Sequence, residues 1–433
     1  MAIASPNTDT SVASSGTNQS YGAPLATVTT LFFMWGFLTC LNDILVPHLK
    51  SIFDLNYTKV MLIQFAFFGA YFIFSIPSAK VIDWIGYQRS MVAGLLTMGL
   101  GAFLFVPAAS APSYPLFLGA LIVLAAGITC LQVAANPYVT VLGKPETASS
   151  RLNLTQAFNS LGTFLAPFFG GLFILTTAPN MAEIRALSPD ALQAFRLHEA
   201  ATVKMPYVGL GIALVLLAIA IGSFKLPKIE HAQHQIGQKV NDSIWKHPNL
   251  IFGAIAIFVY VGAEVSIGSF LVNYFSQPEI GGLTEKVAAS FVAFYWGGAM
   301  VGRFIGSALL QKMKTGGLLA ICAVCAAGLV TVSMLTTGHF AMYSIILVGF
   351  FNSIMFPSIF TLGIAELGPL TGDGSGVMIM AIVGGAIIPV AQGWIADHLG
   401  IHHAFFLPVI CYLYILFFAL SGSKPNSERY AKV

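Results

Sequence analysis

Two carboxylates and a small set of amides interrupt the apolar runs of this 433-residue chain. Asp43 ends the stretch Trp35-Gly-Phe-Leu-Thr-Cys-Leu-Asn42-Asp43, shortly before Pro47 and His48, and Glu264 lies in Tyr260-Val-Gly-Ala-Glu264-Val-Ser-Ile-Gly-Ser-Phe270. A charge at bilayer depth costs at least about 2.5–3.5 kcal/mol on insertion scales, so those that remain line a path or pair with something. Asp43 therefore reads as a carboxylate that binds a proton or cation or accepts hydroxyls, with an interfacial cap as the plain alternative. Glu264 is deeper, with apolar turns on both sides. Gln132 and Asn136 are four apart and share one helical face, and Asn153, Gln156 and Asn159 follow along a stripe of the next segment. Asn352 and Gln392 complete the set, Gln392 being read as the counterpart of that stripe. Hydroxyls both donate and accept whereas carboxylates only accept, so these groups suit a polyhydroxylated ligand. Trp296, Tyr295, Trp35, Phe351 and Phe356 are candidate platforms for its C–H face.

Something must carry these groups through an apolar medium. Hydrophobic residues make up 57% of the chain and charged ones 9%, with a mean hydropathy of +0.81. A soluble surface needs about a quarter charged residues, so lipid is the solvent, and a net charge of +3 is too small to suggest nucleic acid as a partner. A span needs about 20 apolar residues. Twelve are expected, at 25–49, 58–82, 90–110, 115–141, 153–177, 204–224, 249–275, 286–310, 316–337, 338–363, 375–397 and 401–421. With the N-terminus inside, inner segments hold fourteen of the twenty Lys and Arg residues, which places both termini in the cytoplasm. The expected organisation is a disordered tail at 1–24, a six-helix bundle at 25–224, a cytoplasmic linker at 225–248, a second bundle at 249–421 and a tail at 422–433. A short surface helix is expected within 179–203. The five cysteines read as buried free thiols packed as small hydrophobes.

The halves repeat. Pro137-Tyr-Val-Thr-Val-Leu-Gly143 matches Pro357-Ser-Ile-Phe-Thr-Leu-Gly363, 220 positions on, and Gly162, Pro167 and Gly171 match Gly384, Pro389 and Gly393 at an offset of 222. The same arithmetic pairs Gln132 with Asn352 and Asp43 with Glu264. Duplicated six-helix units are a transporter architecture with the ligand near the midplane. Asp83, Gly86 and Arg89 between the second and third spans read as a latch between neighbouring helices, with Arg303 as its second-half equivalent; Glu366 and Asp373 read as solvated loop acids. Prolines 77, 137, 167, 357 and 389 lie within spans, where they kink helices and free carbonyls.

Phe33-Met-Trp-Gly-Phe, Leu41-Asn-Asp-Ile-Leu-Val-Pro47, Gln132-Val-Ala-Ala-Asn-Pro-Tyr-Val-Thr-Val-Leu-Gly143, Arg151-Leu-Asn-Leu-Thr-Gln-Ala-Phe-Asn-Ser-Leu-Gly162 and Gly302-Arg303 together resemble the fucose:proton symporter family of the major facilitator superfamily, over about 27–420. The resemblance implies an all-α polytopic fold of twelve helices in two parallel six-helix repeats. It implies import of a neutral hexose by symport, with Asp43 and the adjacent Asn42 in ion coupling. The proton-coupled fucose transporter carries a glutamate where Gln132 stands here, so a relay of two acids in the first half is lost. Three options remain: Asp43 couples a proton alone, Glu264 takes the second role, or Asp43, Gln156 and Asn159 form a sodium site. Substrate contacts are expected from Gln132, Asn136, Gln156, Asn159, Glu264, Trp296, Asn352 and Gln392. No cofactor is expected beyond the co-transported proton or sodium, and no catalysis. The partners are a small sugar and membrane lipid, in a monomer of the inner membrane. An N-acetylglucosamine transporter and an uncoupled sugar facilitator are the alternatives.

Overall fold

In lipid a backbone must satisfy its own hydrogen bonds, which leaves helices or closed barrels; among the described residues every regular element is helical. The structure is a computed structural model that describes residues 21–53, 57–110, 113–173, 187–227 and 243–425, with the side chains of 41–62, 64, 167–168, 170–173, 199–200 and 285–286 outside that description. The spans are Gly22–Phe53, then Tyr57–Ser110 as second and third, Tyr114–Val141, Ala148–Phe173, Lys204–Ser223, Pro248–Phe275, Glu285–Leu309 and Thr315–Leu335. The tenth comprises Gly338–Asn352 and Met355–Gly363, the eleventh Thr371–Met380 and Gly384–Leu399, and the twelfth Phe406–Phe417 with a π-helical end at Phe418–Gly422.

Among the described residues ten segments are long and apolar enough to cross a membrane, and one of these, Phe65–Ser110, has 46 residues, enough for two crossings. It breaks at Gly86, whose φ of 80° and ψ of 168° suit glycine alone. The fifth span is absent from the ten because Asn153, Gln156, Asn159 and its serines and threonines dilute its apolar content. Twelve crossings result. The helix Pro189–Thr202 falls where the surface helix was expected.

Glycines let the spans approach closely, as is usual where lipid supplies no hydrophobic drive between helices. A Cβ on Gly162 would strike the main-chain oxygen of Phe33, and one on Gly384 that of Phe258. Fifth against first and eleventh against seventh spans thus pack alike, with Phe33 and Phe258 225 positions apart. This corrects the register read from sequence. Asp43 corresponds to Gly268, one helical turn beyond Glu264, because connecting loops of unequal length shift the offset from span to span.

The tenth span is broken rather than kinked. Pro357 has no N–H to give to the carbonyl of Ser353, four residues back, and the helix stops at Asn352 before resuming at Met355. In the repeat, Pro137 likewise frees the carbonyl of Val133. Both freed oxygens are taken by side chains: Ser353 O accepts from Arg303 Nε at 3.3 Å, and Val133 O from Ser375 Oγ at 2.8 Å.

Candidate functional site

Tyr260 and Glu264, four apart, sit on one face of the seventh span. The Tyr260 hydroxyl lies 2.8 Å from Glu264 Oε1 and 3.1 Å from the main-chain oxygen of Asn352, and its single proton serves one acceptor at a time. Asn352 is spent on tyrosines: its Nδ2 donates to Tyr295 Oη at 2.9 Å and its Oδ1 accepts from Tyr412 Oη at 2.8 Å. Asn352 and all three tyrosines are buried, and buried polar atoms of this kind need such partners. Glu264 alone of the group is half-exposed. Arg303 is the cation whose field acts on it, yet no ion pair within 4.0 Å joins the two.

Trp296, Met300, Arg303 and Ser307 fall on one stripe of the eighth span by helical periodicity. Arg303 and Ser307 on that stripe reach the fifth span of the other half, so Trp296, two turns from Arg303 and 41% exposed, faces the space between the halves. Its indole lies across Gly268, with Cζ2 2.9 Å from where a Cβ would stand.

The first half echoes this pattern. Gln132 Nε2 donates to Tyr71 Oη at 2.9 Å, as Asn352 does to Tyr295, so an amide on the fourth or tenth span is tied to a tyrosine on the second or eighth. Gln156 Nε2 points at Asn136 Oδ1 from 3.5 Å, and Asn136 Nδ2 is buried with no partner among the described residues. Asn159 Nδ2 donates to Phe32 O at 3.0 Å, and Thr163 Oγ1 to Gly36 O at 3.3 Å. The side-chain oxygens of Gln156 and Asn159 accept no hydrogen bond among the described residues.

The halves meet on the side where the first span begins and the twelfth ends, here the terminal side. Ser150 and Ser307 exchange hydrogen bonds with each other's main-chain oxygens, at 2.7 and 3.0 Å. Asn153 Nδ2 donates to Arg303 O at 2.6 Å, and Thr315 Oγ1 to Ser149 Oγ at 3.0 Å. The Arg303 guanidinium donates to Gln156 O at 3.3 Å and to Ser160 Oγ. Lys80 Nζ meets Asp373 Oδ1 at 2.8 Å and Asp83 Oδ2 at 3.6 Å.

Several expectations change. Asn352 is buried with both side-chain polar atoms engaged, and Gln392 is 0% exposed with neither side-chain polar atom partnered among the described residues; neither offers a face to a ligand in this conformation. Gln132 and Asn136 are also buried. Asp373 is not a solvated loop acid but sits in the first turn of a helix and joins the halves. Asp83 pairs with Lys80, while Arg89 is exposed and has neither ion pair nor hydrogen bond among the described residues. Arg303 lies within the eighth span, as expected, and its guanidinium bridges to the fifth span of the other half. Glu264, Trp296 and Asn159 keep open faces and Gln156 is buried like Gln132, whereas the side chains of Asn42 and Asp43 lie outside the described residues. Tyr71, Tyr260, Tyr412, Lys80 and the serines of the seam went unread. The signal for Tyr71 was its spacing of 224 from Tyr295, and that for Tyr260 its place one turn before Glu264.

Residues 26–383 match the family model of the Major Facilitator Superfamily. The chain is 53% identical to a glucose/galactose transporter of Brucella abortus over 98% of its length and 100% of the relative's. It is 36% identical to the L-fucose-proton symporter of Escherichia coli, over 94% and 95%. The crystal structure of a transporter of this superfamily, FucP, in the outward conformation superposes with a TM-score of 0.85 at 34% identity, covering 93% of this chain and 99% of that one. With twelve spans in two repeats, a polar site between them and these relatives, the chain belongs to the major facilitator superfamily.

Proposed function

We propose that the chain is a secondary active transporter that imports a neutral hexose of the glucose, galactose or fucose kind together with a proton or sodium ion by alternating access. The observation that carries this is Glu264, a half-buried carboxylate one turn from the Gly268 that the exposed Trp296 indole covers, beside a group of Tyr260, Tyr295, Tyr412 and Asn352 whose hydrogen bonds are made among themselves and to Glu264. The Brucella relative's name, glucose/galactose transporter, and that of the Escherichia coli relative, L-fucose-proton symporter, support the substrate class and the coupling. Glu264 accepts sugar hydroxyls, Trp296 covers the C–H face, and Gln156 and Asn159 contribute from the other half. Asn352 and Gln132 position these groups through their tyrosines. Asp43, with Asn42, senses the ion. Where that ion is sodium, the side-chain oxygens of Gln156 and Asn159, which accept no hydrogen bond among the described residues, join Asp43, since hard cations prefer carboxylate and amide oxygens.

The excess of Lys and Arg on the terminal side makes that side cytoplasmic, in a multi-pass protein of the inner membrane with both termini inside. The polar seam closes the cytoplasmic side, so this is the outward-facing state, and the bundles 25–224 and 249–421 rock about the site as a monomer. Asp43→Asn in proteoliposomes tests the coupling role: accumulation driven by an ion gradient is lost while sugar counterflow persists. Full accumulation by the variant removes Asp43 from coupling.

A further inference from the structure

We propose that Gly268 is a specificity-determining residue, setting the width of the sugar subsite between Glu264 and Trp296. The inference rests on the reading of the chain as a hexose transporter and on three observations. Glu264 and Gly268 are four residues apart on the seventh span, hence on one face about 6 Å apart along the axis. Trp296 presents its exposed indole to the same space. The indole's six-membered ring edge lies where a side chain on residue 268 would be, with Cζ2 at 2.9 Å and Cε2 and Cη2 at 3.7 and 3.8 Å from an added Cβ.

Carbon atoms settle at about 3.5–4.0 Å, so a methyl group at position 268 displaces the ring edge by roughly 0.6–1 Å. Tyr295, whose ring meets the indole edge-on with centroids 5.1 Å apart, is fully buried and fixed by Asn352, so the ring cannot yield on that side and moves toward the open space it faces. A pyranose held with its hydroxyls on the Glu264 carboxylate and its C–H face on the indole then loses that width. The substituent that pays is the exocyclic hydroxymethyl group, the part of a hexose that a pentose of the same ring lacks. The repeat gives the position a different use in the first half, where Asp43 occupies the equivalent place.

The test uses the full-length protein in proteoliposomes and the matched pair D-glucose and D-xylose, which differ only in that hydroxymethyl group. Gly268→Ala is expected to raise the glucose-to-xylose KM ratio about tenfold. The double variant Gly268→Ala/Trp296→Phe, whose smaller ring lacks the clashing edge, is expected to return the ratio to within about twofold of that for Trp296→Phe alone. An unchanged ratio in a transporting Gly268→Ala protein overturns the proposal. So does loss of transport in Gly268→Ala that Trp296→Phe does not relieve. Failure of the unmodified protein to transport or exchange either sugar refutes the hexose reading instead, and the inference with it.

Discussion

Replacing Arg303 by methionine should open the seam on the terminal side. The arginine makes three kinds of contact, and only one kind bears on the equilibrium between outward- and inward-facing states. Its Nε bond to Ser353 O lies within the second half and persists in both states, so its loss lowers stability without moving the balance. The Asn153 bond uses the Arg303 main chain and survives the substitution. The bonds to Gln156 O and Ser160 Oγ cross the seam and vanish when the seam opens. A hydrogen bond from a charged donor contributes about 1.5–3 kcal/mol. The Gln156 contact is long, and the half-exposed guanidinium recovers some hydration on opening, so the two together contribute about 2–3 kcal/mol. At tenfold per 1.4 kcal/mol, the inward-to-outward ratio rises roughly 30- to 150-fold. Spin labels at Lys144→Cys and Lys312→Cys, both exposed at the terminal-side ends of opposite halves, report the opening as a dipolar distance. Arg303→Lys keeps the charge but loses the planar fork and should shift the ratio less. A distance distribution for Arg303→Met identical to that of the unmodified protein refutes the assignment of Arg303 to the seam.

Lys80→Gln removes the ion pair with Asp373, but the lysine side chain is 52% exposed and such a pair contributes at most about 1 kcal/mol; the same labels should show no more than roughly a fivefold shift, imitated in the unmodified protein by molar salt. A larger, salt-insensitive shift contradicts a screened pair. Tyr412→Phe strands the buried Asn352 Oδ1 and should lower unfolding stability in detergent by about 1–3 kcal/mol, with an unchanged unfolding profile meaning that another donor serves Asn352.

Composition and periodic apolar runs determine twelve spans, because a lipid-exposed backbone has no other way to pair its polar groups than helix or barrel. Glu264 was legible for the same reason: a carboxylate flanked by apolar turns is costly and therefore conspicuous. Internal repetition paired Gln132 with Asn352, and the packing bears this out through matched tyrosine contacts. Which polar groups remain open was not legible, since a hydroxyl 57 positions from Asn352 in sequence consumes an amide that looks free. The pairing of Asp43 with Glu264 failed by one turn, because a constant offset ignores loops of unequal length. Arg303 shows the same limit. Its type announced a cation near the inner surface, but only the packing of the eighth span against the fifth turned it inward. There it meets an oxygen freed by Pro357 and a serine from the other half. Sequence determines what each span can carry, through local cost and periodicity. Which groups face one another is decided by the glycine contacts and proline breaks that set how the spans are rotated and staggered.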